Sequence, residues 1–264
     1  MHSDLRDQAD DPRPGRIRFV LVEPSLSANI GATARAMKTM GLTRLALVQP
    51  RQRPDAEAIA CASGADDLLA TAAIHDDLVG ALAGCRLVIG SSARPRSVQW
   101  PQVDPRACAR LLCDEARQGD VALLLGRERS GLSNEELARC HYLVQIPANP
   151  AFSSLNVAAA AQVFAYEVRQ ALLAPVEPAE AAGGTISEVY ESPLATAEEM
   201  EGFFTHLAAV LVNIGYADPV QSRRLQRRLR RLFNRARPDR TEINILRGIL
   251  RAAADHRPQR TPTA

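Results

Sequence analysis

Lysine is almost absent from this chain of 264 residues. Lys38 is the sole lysine among 32 basic residues, and aromatic residues make up only 4% of the sequence. No run of 18 apolar residues occurs, and the polar N-terminus carries no apolar segment of the kind that a secretory signal needs. We therefore expect no membrane-spanning helix and no secretory signal. Hydrophobic residues at 46% and charged residues at 23% are typical of a globular protein.

Cysteine is scarce as well, and its spacing argues against both disulfides and metal. The five cysteines include no C-x-x-C pair and no cluster with histidine; they are Cys61, Cys85, Cys108, Cys113 and Cys140. Because an odd, scattered set makes neither a disulfide framework nor a zinc site, we predict no metal and a reducing, cytoplasmic location.

Three common site motifs are also missing. The sequence has no G-x-G-x-x-G fingerprint, no G-x-x-x-x-G-K-[ST] phosphate loop and no G-x-S-x-G nucleophile elbow. Because the G-x-G-x-x-G fingerprint is missing, a nucleotide-dependent oxidoreductase on an ordinary doubly wound sheet is only a rival interpretation. No histidine is paired with a serine, so a hydrolase is not favoured. We interpret His141, which precedes an apolar run, as a partly buried structural residue.

Short apolar runs alternate with helical patterns through the first two thirds of the chain. The runs, each typical of a strand covered on both faces, are Ile17–Val22, Arg44–Val48, Leu87–Gly90, Val121–Leu125 and Tyr142–Ile146. This alternation predicts an α/β fold, a mostly parallel sheet with helices on both faces. We expect Asn29 to cap the first long helix and Ser153 or Ser154 to cap a later one. Ser133 and Glu136 stand three apart, as in a capping box.

Composition divides the chain into five segments. Residues 1–15 are expected to be a flexible N-terminus, and residues 16–173 carry the α/β pattern. Residues 174–196 are rich in proline, glycine and acidic side chains, which predicts a linker. Three helical patterns over 197–256 are too short to be stable singly. We expect them to pack as a small helical domain, followed by a flexible tail at 257–264.

The second helical pattern of that domain is densely basic. Eight arginines occupy the positions from 223 to 237 with no acid among them: Arg223, Arg224, Arg227, Arg228, Arg230, Arg231, Arg235 and Arg237. Like charges this dense repel one another, and an anionic partner would relieve that cost, since arginine forks suit phosphate. The pattern favours a nucleic-acid surface. A solvated face balanced by the acidic linker is the alternative.

Unusual polar sets follow four of the predicted strands, where ligands of open α/β sheets bind. They hold Asn29 and Arg35 after the first run, Ser91-Ser92-Ala93 after the third, Gly126 and Glu128 after the fourth, and Ile146 with Ser153 to Asn156 after the fifth. Arg35 interrupts a run of small and apolar residues. That is a costly place for a fixed charge unless it has a partner or a function.

Together these sets resemble the three motifs of the SpoU group within the SPOUT RNA methyltransferases. The first is Asn29-x-Gly31-x-x-x-Arg35, the second Gly126-Arg127-Glu128-x-x-Gly131-Leu132, and the third Ile146-Pro147 followed by Ser153-Ser154-Leu155-Asn156-Val157. Each motif alone is weak, but three in order at the right spacing are specific. The resemblance covers about residues 16 to 251 and is greatest to members that methylate tRNA.

The resemblance implies a fold, a cofactor and partners. The α/β domain would carry a C-terminal trefoil knot, which general topology rules argue against. Its loops would bind S-adenosylmethionine mainly through backbone groups, at Ser91, Ser92, Ala93, Gly126, Ile146, Ser153, Ser154, Leu155 and Asn156. The group works as a homodimer with the active site beside the interface. Its nearest members methylate the ribose of nucleotide 32 in the anticodon loop of tRNA.

The resemblance also assigns Arg35 as the catalytic residue, positioned by Asn29, Glu128 and Ser154. A guanidinium stays protonated, so we favour Arg35 as a cation that holds the adjoining phosphate and stabilises the developing alkoxide. Deprotonation by Arg35 is the alternative. Among its neighbours, Glu128 is the side chain whose pKa could be tuned to accept a proton. RNA contacts are expected from Arg35 and from the basic helix, at Arg223, Arg224, Arg227, Arg228, Arg230 and Arg231.

Two further interpretations stay open within this fold. One is an RNA-binding protein that has lost catalysis, although the presence of Arg35, Glu128 and Ser154 argues against it. The other is an enzyme that methylates a different RNA position. A cofactor-binding titration distinguishes the first from an active enzyme, and mapping of the methylated nucleotide distinguishes the second.

Overall fold

A computed structural model of the chain describes residues 11–93, 100–174, 192–218 and 222–255. The chain divides at residue 176 into two compact units. Residues 1–10 of the predicted N-terminal segment, most of the predicted linker and the predicted tail lie outside the described residues.

The first unit is built on one seven-stranded sheet. Its strands are β1 (Ile17–Val22), β2 (Arg44–Val48), β3 (Ala73–His75), β4 (Leu87–Ser91), β5 (Gln102–Val103), β6 (Val121–Leu125) and β7 (Tyr142–Val144). Their spatial order is β3-β2-β1-β6-β4-β7-β5, and all six pairings are parallel. The predicted parallel α/β fold is confirmed.

Helices connect these strands and form the second unit. In the first unit they are α1 (Ser27–Thr39), α2 (Ala56–Ala62), α3 (Asp66–Ala70), α4 (Leu78–Leu82), α5 (Pro105–Glu115), α6 (Asn134–Leu137) and α7 (Val157–Leu173). The second unit contains α8 (Ala197–Asn213), α9 (Arg223–Ala236) and α10 (Arg240–Asp255). Within the described residues no helix is both long and apolar enough to cross a membrane.

The central strands are buried on both faces, as their nearly continuous apolar runs predict. Every residue of β1 and of β6 is buried. Phe19 and Leu21 of β1 belong to the core cluster formed with α1, α5 and α7. Arg18, one residue away and therefore on the opposite face, donates a hydrogen bond to the carbonyl of Ala81 in α4. Helices therefore cover both faces of the sheet.

Strand β7 lies between β4 and β5, although β4 and β5 follow one another along the chain. The order of these strands in the sheet therefore differs from their order in the chain. Beyond β7 the chain returns close to the end of β4, where Ser153 Oγ lies 3.5 Å from the carbonyl oxygen of Ala93. This is the arrangement in which the implied trefoil knot would form, and the knot itself stays a prediction.

Two predicted helix caps are wrong. Helix α1 begins at Ser27, so Asn29 lies inside its first turn and its side chain is used elsewhere. Helix α7 is capped by Asn156, whose Oδ1 accepts hydrogen bonds from the amides of Ala158 and Ala159. Neither Ser153 nor Ser154 has this role. The capping box of Ser133 with Glu136 is confirmed.

The second unit has a small core of its own. Phe203 and Phe204 of α8 pack with Ile243 of α10, and Phe233 of α9 lies edge-on to Phe203 with ring centroids 4.8 Å apart. A capping box of Thr196 with Glu199 begins α8. Three helices lie within residues 197–256, as the three helical patterns predict.

Candidate active site

A cavity opens at the carboxyl ends of β4, β6 and β7. It encloses about 620 Å³ of space, part of it open to solvent. The residues lining it are Ser91, Ser92, Ala93, Leu125, Gly126, Arg127, Glu128, Gly131, Val144, Ile146, Ser153, Ser154, Leu155, Val157, Ala160 and Phe164. Eight of the nine predicted cofactor residues are among them; Asn156 is not.

The loop after β6 closes one wall of this cavity, and it requires glycine. A Cβ atom on Gly126 would overlap the backbone of Gly131 and of Leu132. A backbone bridge joins Arg127 to Gly131, so the loop folds back on itself. Any side chain at position 126 would force these two backbone segments apart.

Arg127 lines the cavity, but two carboxylates neutralise it. Its guanidinium is paired with Glu23, at the end of β1, and with Glu136, at 2.9 Å in α6. Glu23 has a left-handed backbone with φ of 46°, a strained conformation for a non-glycine residue. The hydrogen bond from Arg127 lowers the pKa of Glu23, and the hydrogen bonds that Arg127 donates to Glu23 and Glu136 raise the pKa of Arg127. The local charge is therefore not positive.

Glu128 holds the start of α1. Its carboxylate accepts hydrogen bonds from the amide and hydroxyl of Ser25, the latter at 2.8 Å, and from the amide of Leu26 at 3.3 Å. Asn29 Nδ2 donates another at 3.1 Å. Burial raises the pKa of Glu128, but the hydrogen bonds from Asn29 and Ser25 outweigh it and leave the pKa lowered. The direction of this shift does not favour Glu128 as a proton acceptor, and its role in the site stays a prediction.

Asn29 and Asn156 join the first and third motifs. Asn156 Nδ2 donates to Asn29 Oδ1 at 2.9 Å, while its own Oδ1 caps α7. Glu128, Asn29 and Asn156 therefore form one chain of hydrogen bonds across all three motifs. Gly31 of the first motif has a packing role, since a Cβ there would overlap the carbonyl of Ala58 in α2.

Arg35 lies apart from this network. It is exposed on α1, it does not line the cavity, and within the described residues it has no hydrogen bond or ion pair. It stands eight residues beyond the start of α1, about 12 Å along the axis. An unpaired guanidinium in this place is available to an anion from outside the chain.

The basic helix α9 contains two kinds of arginine. Arg223, Arg224, Arg227 and Arg228 are exposed and form no ion pair within the described residues. Arg230 donates to both carboxylate oxygens of Glu201, at 2.7 and 2.6 Å, and lies 4.5 Å from the ring centroid of Phe204. Arg230 therefore already has an anionic partner in α8, and its predicted RNA contact stays a prediction.

His141 has the structural role expected of it. It is buried, and its Nδ1 accepts a hydrogen bond from the amide of Val88 at 3.1 Å. Among the described residues no group of three or more histidine, cysteine, aspartate or glutamate side chains is arranged to hold a metal ion.

Glu23, Ser25 and Glu136 complete the site, and sequence reasoning missed their roles. The position of Glu23 directly after a buried strand is a sequence signal that could have marked it as a site residue. Ser25 donates to Glu128, which is about 100 positions away in the chain. Glu136 accepts from Arg127, which is 9 positions away. Only the fold brings them together.

Comparison with known proteins agrees with this architecture. The model of the SpoU rRNA Methylase family matches residues 16–166, and the model of the C-terminal domain of the tRNA methyltransferase TrmJ matches residues 198–263. With its parallel sheet and strand-end cavity, the chain belongs to the SpoU methylase family.

Within that family the chain is similar to TrmJ proteins. It is 50% identical to the tRNA (cytidine/uridine-2'-O-)-methyltransferase TrmJ of Sodalis glossinidius over 246 residues, 93% of this chain and 94% of that protein. It is 51% identical to the protein of the same name from Cronobacter sakazakii over 234 residues, 89% of this chain and 94% of that protein. The crystal structure of TrmJ from Z. mobilis ZM4 matches with a TM-score of 0.77 at 34% identity, covering 89% of this chain and 97% of that chain. The predicted family is confirmed.

Proposed function

We propose that this protein transfers a methyl group from S-adenosylmethionine to a ribose 2'-hydroxyl of tRNA, at a cytidine or uridine at nucleotide 32 of the anticodon loop. The similarity to TrmJ proteins over both units supports the substrate. The observation that carries the chemistry is the cavity at three strand ends, lined by eight of the nine cofactor residues that the family resemblance implies.

The residues of the cavity fit the proposed cofactor. Ser91, Ser92, Ala93 and Gly126 are small, so backbone groups can approach a ligand closely. S-adenosylmethionine carries a sulfonium cation and supplies an electrophilic methyl group. The lining tolerates that charge, because Glu23 and Glu136 neutralise Arg127 and because Glu128 is a carboxylate with a lowered pKa. Ser153, Ser154 and Leu155 would hold the cofactor from the other wall.

Arg35 would act on the RNA rather than on the cofactor. Its exposed, unpaired guanidinium suits the phosphate beside the target ribose and the negative charge that develops on the 2'-oxygen. Glu128 would act as a positioning residue, since it fixes the start of the helix that bears Arg35. Its lowered pKa makes it a weak base.

The two units would have different roles, one in catalysis and one in tRNA binding. Residues 16–173 would form the catalytic domain, and residues 197–256 would bind tRNA phosphates through Arg223, Arg224, Arg227 and Arg228. We further propose a homodimer formed by the catalytic domain, with Arg231 as an additional RNA contact. We also propose a cytoplasmic location, because the proposed substrate is tRNA.

The test is methylation of an unmodified tRNA transcript with labelled S-adenosylmethionine, followed by mapping of the labelled nucleotide. We expect one labelled 2'-O-methyl group at nucleotide 32. Label at another nucleotide would replace the proposed target, and tRNA binding without label would identify a catalytically inactive RNA-binding protein.

A further inference from the structure

Phe152 is the most exposed large apolar side chain of the described residues, with 81% of its surface accessible. It does not line the cavity itself, but in the chain it directly precedes the lining residues Ser153 and Ser154. An exposed phenyl ring has an unfavourable contact with water, which a ligand that covers it would remove. No part of the catalytic network described above uses this ring.

A local turn holds Phe152 in this exposed position. The amide of Phe152 donates to the carbonyl of Asn149 at 2.9 Å, and Asn149 Oδ1 accepts from the amide of Ala151 at 3.0 Å. Asparagine at the first position and Pro150 at the second are the residues that favour a β-turn. The ring is therefore presented by an ordered turn rather than by a frayed segment.

We propose that Phe152 is a stacking platform for the base of the nucleotide whose ribose is methylated. Consecutive Cα atoms are about 3.8 Å apart, so Phe152 lies within about 8 Å of Ser154 along the chain. A ribose placed for methyl transfer at the cavity therefore carries its base into reach of the ring. This inference rests on the proposed function and names the residue that holds the target base.

The surroundings of Phe152 favour a base over a second protein chain. Its exposed neighbours Asn149, Pro150 and Ala151 are small or polar, and no other large apolar side chain is exposed between residues 145 and 156. A stable protein interface needs about 800 Å² of surface on each partner, whereas stacking needs one aromatic ring.

Stacking also explains the proposed tolerance for two bases. Hydrogen-bond recognition of a base edge distinguishes cytidine from uridine, whereas every base offers a π-face to an aromatic ring. A platform at Phe152 would hold either pyrimidine with similar strength. Unpaired, splayed loop nucleotides are the RNA elements that aromatic side chains recognise in this way.

The experiment compares three substitutions at this position. Phe152→Leu keeps a large apolar side chain but has no π-face. Phe152→Ala removes the large side chain, and Phe152→Trp keeps an aromatic ring. We expect kcat/KM for tRNA to fall on the order of tenfold in the first two and to stay within about twofold in the third, since one base–aromatic stack has this strength. Tyr166→Leu, at an exposed aromatic residue outside the cavity lining, is the matched control.

A second measurement does not depend on turnover. A tRNA with the fluorescent analogue pyrrolocytidine at the target nucleotide is titrated with each variant in the presence of S-adenosylhomocysteine. We expect quenching at saturation with the wild type and Phe152→Trp, and none with Phe152→Leu. Wild-type activity or undiminished quenching in Phe152→Leu would overturn the proposal.

Two other outcomes separate this proposal from related ones. If Phe152→Leu loses activity because its mass by light scattering falls to that of a monomer, the ring belongs to an interface between copies and the stacking proposal is wrong. If the wild type labels no tRNA, the proposed function fails, while quenching still reports whether the ring stacks on RNA. Affinity for S-adenosylmethionine should be equal in all variants.

Discussion

The two units hold their functional groups in different ways. In the first, Glu128, Asn29 and Asn156 are tied into one chain of hydrogen bonds above a sheet whose central strands are fully buried. In the second, a core of a few side chains around Phe203 supports a helix whose arginines are mostly exposed. The first unit is built for fixed geometry, and the second presents charge.

Each unit nevertheless contains a paired arginine and an unpaired one. Arg127 and Arg230 are each held by carboxylates from another element, and such pairing makes them part of the structure. Arg35 and Arg223 are exposed and have no ion pair within the described residues. From this comparison we expect that pairing, rather than position in a motif or a basic run, separates structural arginines from those that can bind RNA.

The largest expected effect tests the unpaired arginine of the first unit. Arg35→Ala should lower kcat for methyl transfer about 100-fold or more, because a preformed cation no longer stabilises the developing charge. Arg35→Lys should restore only part of the activity, since a single ammonium cannot replace a bidentate fork. Affinity for S-adenosylmethionine, measured by calorimetry, should be unchanged in both.

Arg53→Ala is the matched control for this substitution, because Arg53 is an exposed arginine of the same unit that does not line the cavity. It should retain wild-type kcat. Full activity in Arg35→Ala would remove Arg35 from the mechanism.

The next effect breaks the hydrogen-bonded network. Glu128→Gln replaces a carboxylate that accepts from both Ser25 and Asn29. The NH2 group of the amide cannot accept a hydrogen bond, so one of these donors loses its acceptor. We expect kcat to fall about 10- to 100-fold with a smaller change in KM for tRNA, because loss of a charge-assisted bond loosens the start of α1. Steady-state kinetics measures this split, and a pure KM effect would contradict a positioning role.

The same variant makes a prediction about pH. Because the pKa of Glu128 is lowered in the folded protein, its carboxylate stabilises the fold at neutral pH. This stabilisation is lost as pH falls below about 4.3, the ordinary pKa of a glutamate side chain. The difference in Tm between wild type and Glu128→Gln should therefore shrink as pH falls from 6 towards 3. A difference that is constant across this range would show that the charge of Glu128 contributes nothing.

A moderate effect is expected for the unpaired arginines of the second unit. Arg223→Gln with Arg227→Gln should weaken tRNA binding about tenfold at moderate salt. The slope of log Kd against log salt concentration should fall by about two, since two phosphate contacts are lost. Fluorescence anisotropy over a salt series measures both quantities, while affinity for S-adenosylmethionine serves as the internal control. An unchanged slope would place the RNA elsewhere.

The smallest effect on RNA binding is expected for the paired arginine beside them. Arg230→Met removes the bonds to Glu201 and the contact with Phe204. Thermal unfolding should show the second unit destabilised by about 1–3 kcal/mol, because a partly buried carboxylate loses its partner. The salt slope should change by less than in either single substitution at Arg223 or Arg227. An equal loss of slope would mean that pairing does not distinguish these arginines.

The fold could be predicted where burial leaves a strong signal. The central strands are continuous or nearly continuous apolar runs, and β1, β2 and β6 have the bounds that those runs predict. Strands β3 and β5 were missed because they have three and two residues, and β3 lies at one edge of the sheet where most of its side chains are exposed. Helices α2, α3 and α4 were missed because each spans two turns or fewer.

The lining of the site could be predicted from the family motifs, but its internal contacts could not. Asparagine and serine are equally good helix caps, so the sequence does not distinguish Asn156 from Ser153 or Ser154 as the cap of α7. The side-chain amide of Asn156 also donates to Asn29, a partner that only the fold brings close. Likewise, nothing in the basic run separates Arg230 from Arg227. The difference depends on Glu201 of a neighbouring helix.

The most direct test of the account is methylation of a tRNA that carries a single 2'-deoxyribose at the target nucleotide. The account predicts no incorporation of label into this tRNA and normal incorporation when the deoxyribose lies one nucleotide to either side. Label in the first tRNA at the level of the unmodified transcript would show that the acceptor is not that 2'-hydroxyl and would contradict the central claim.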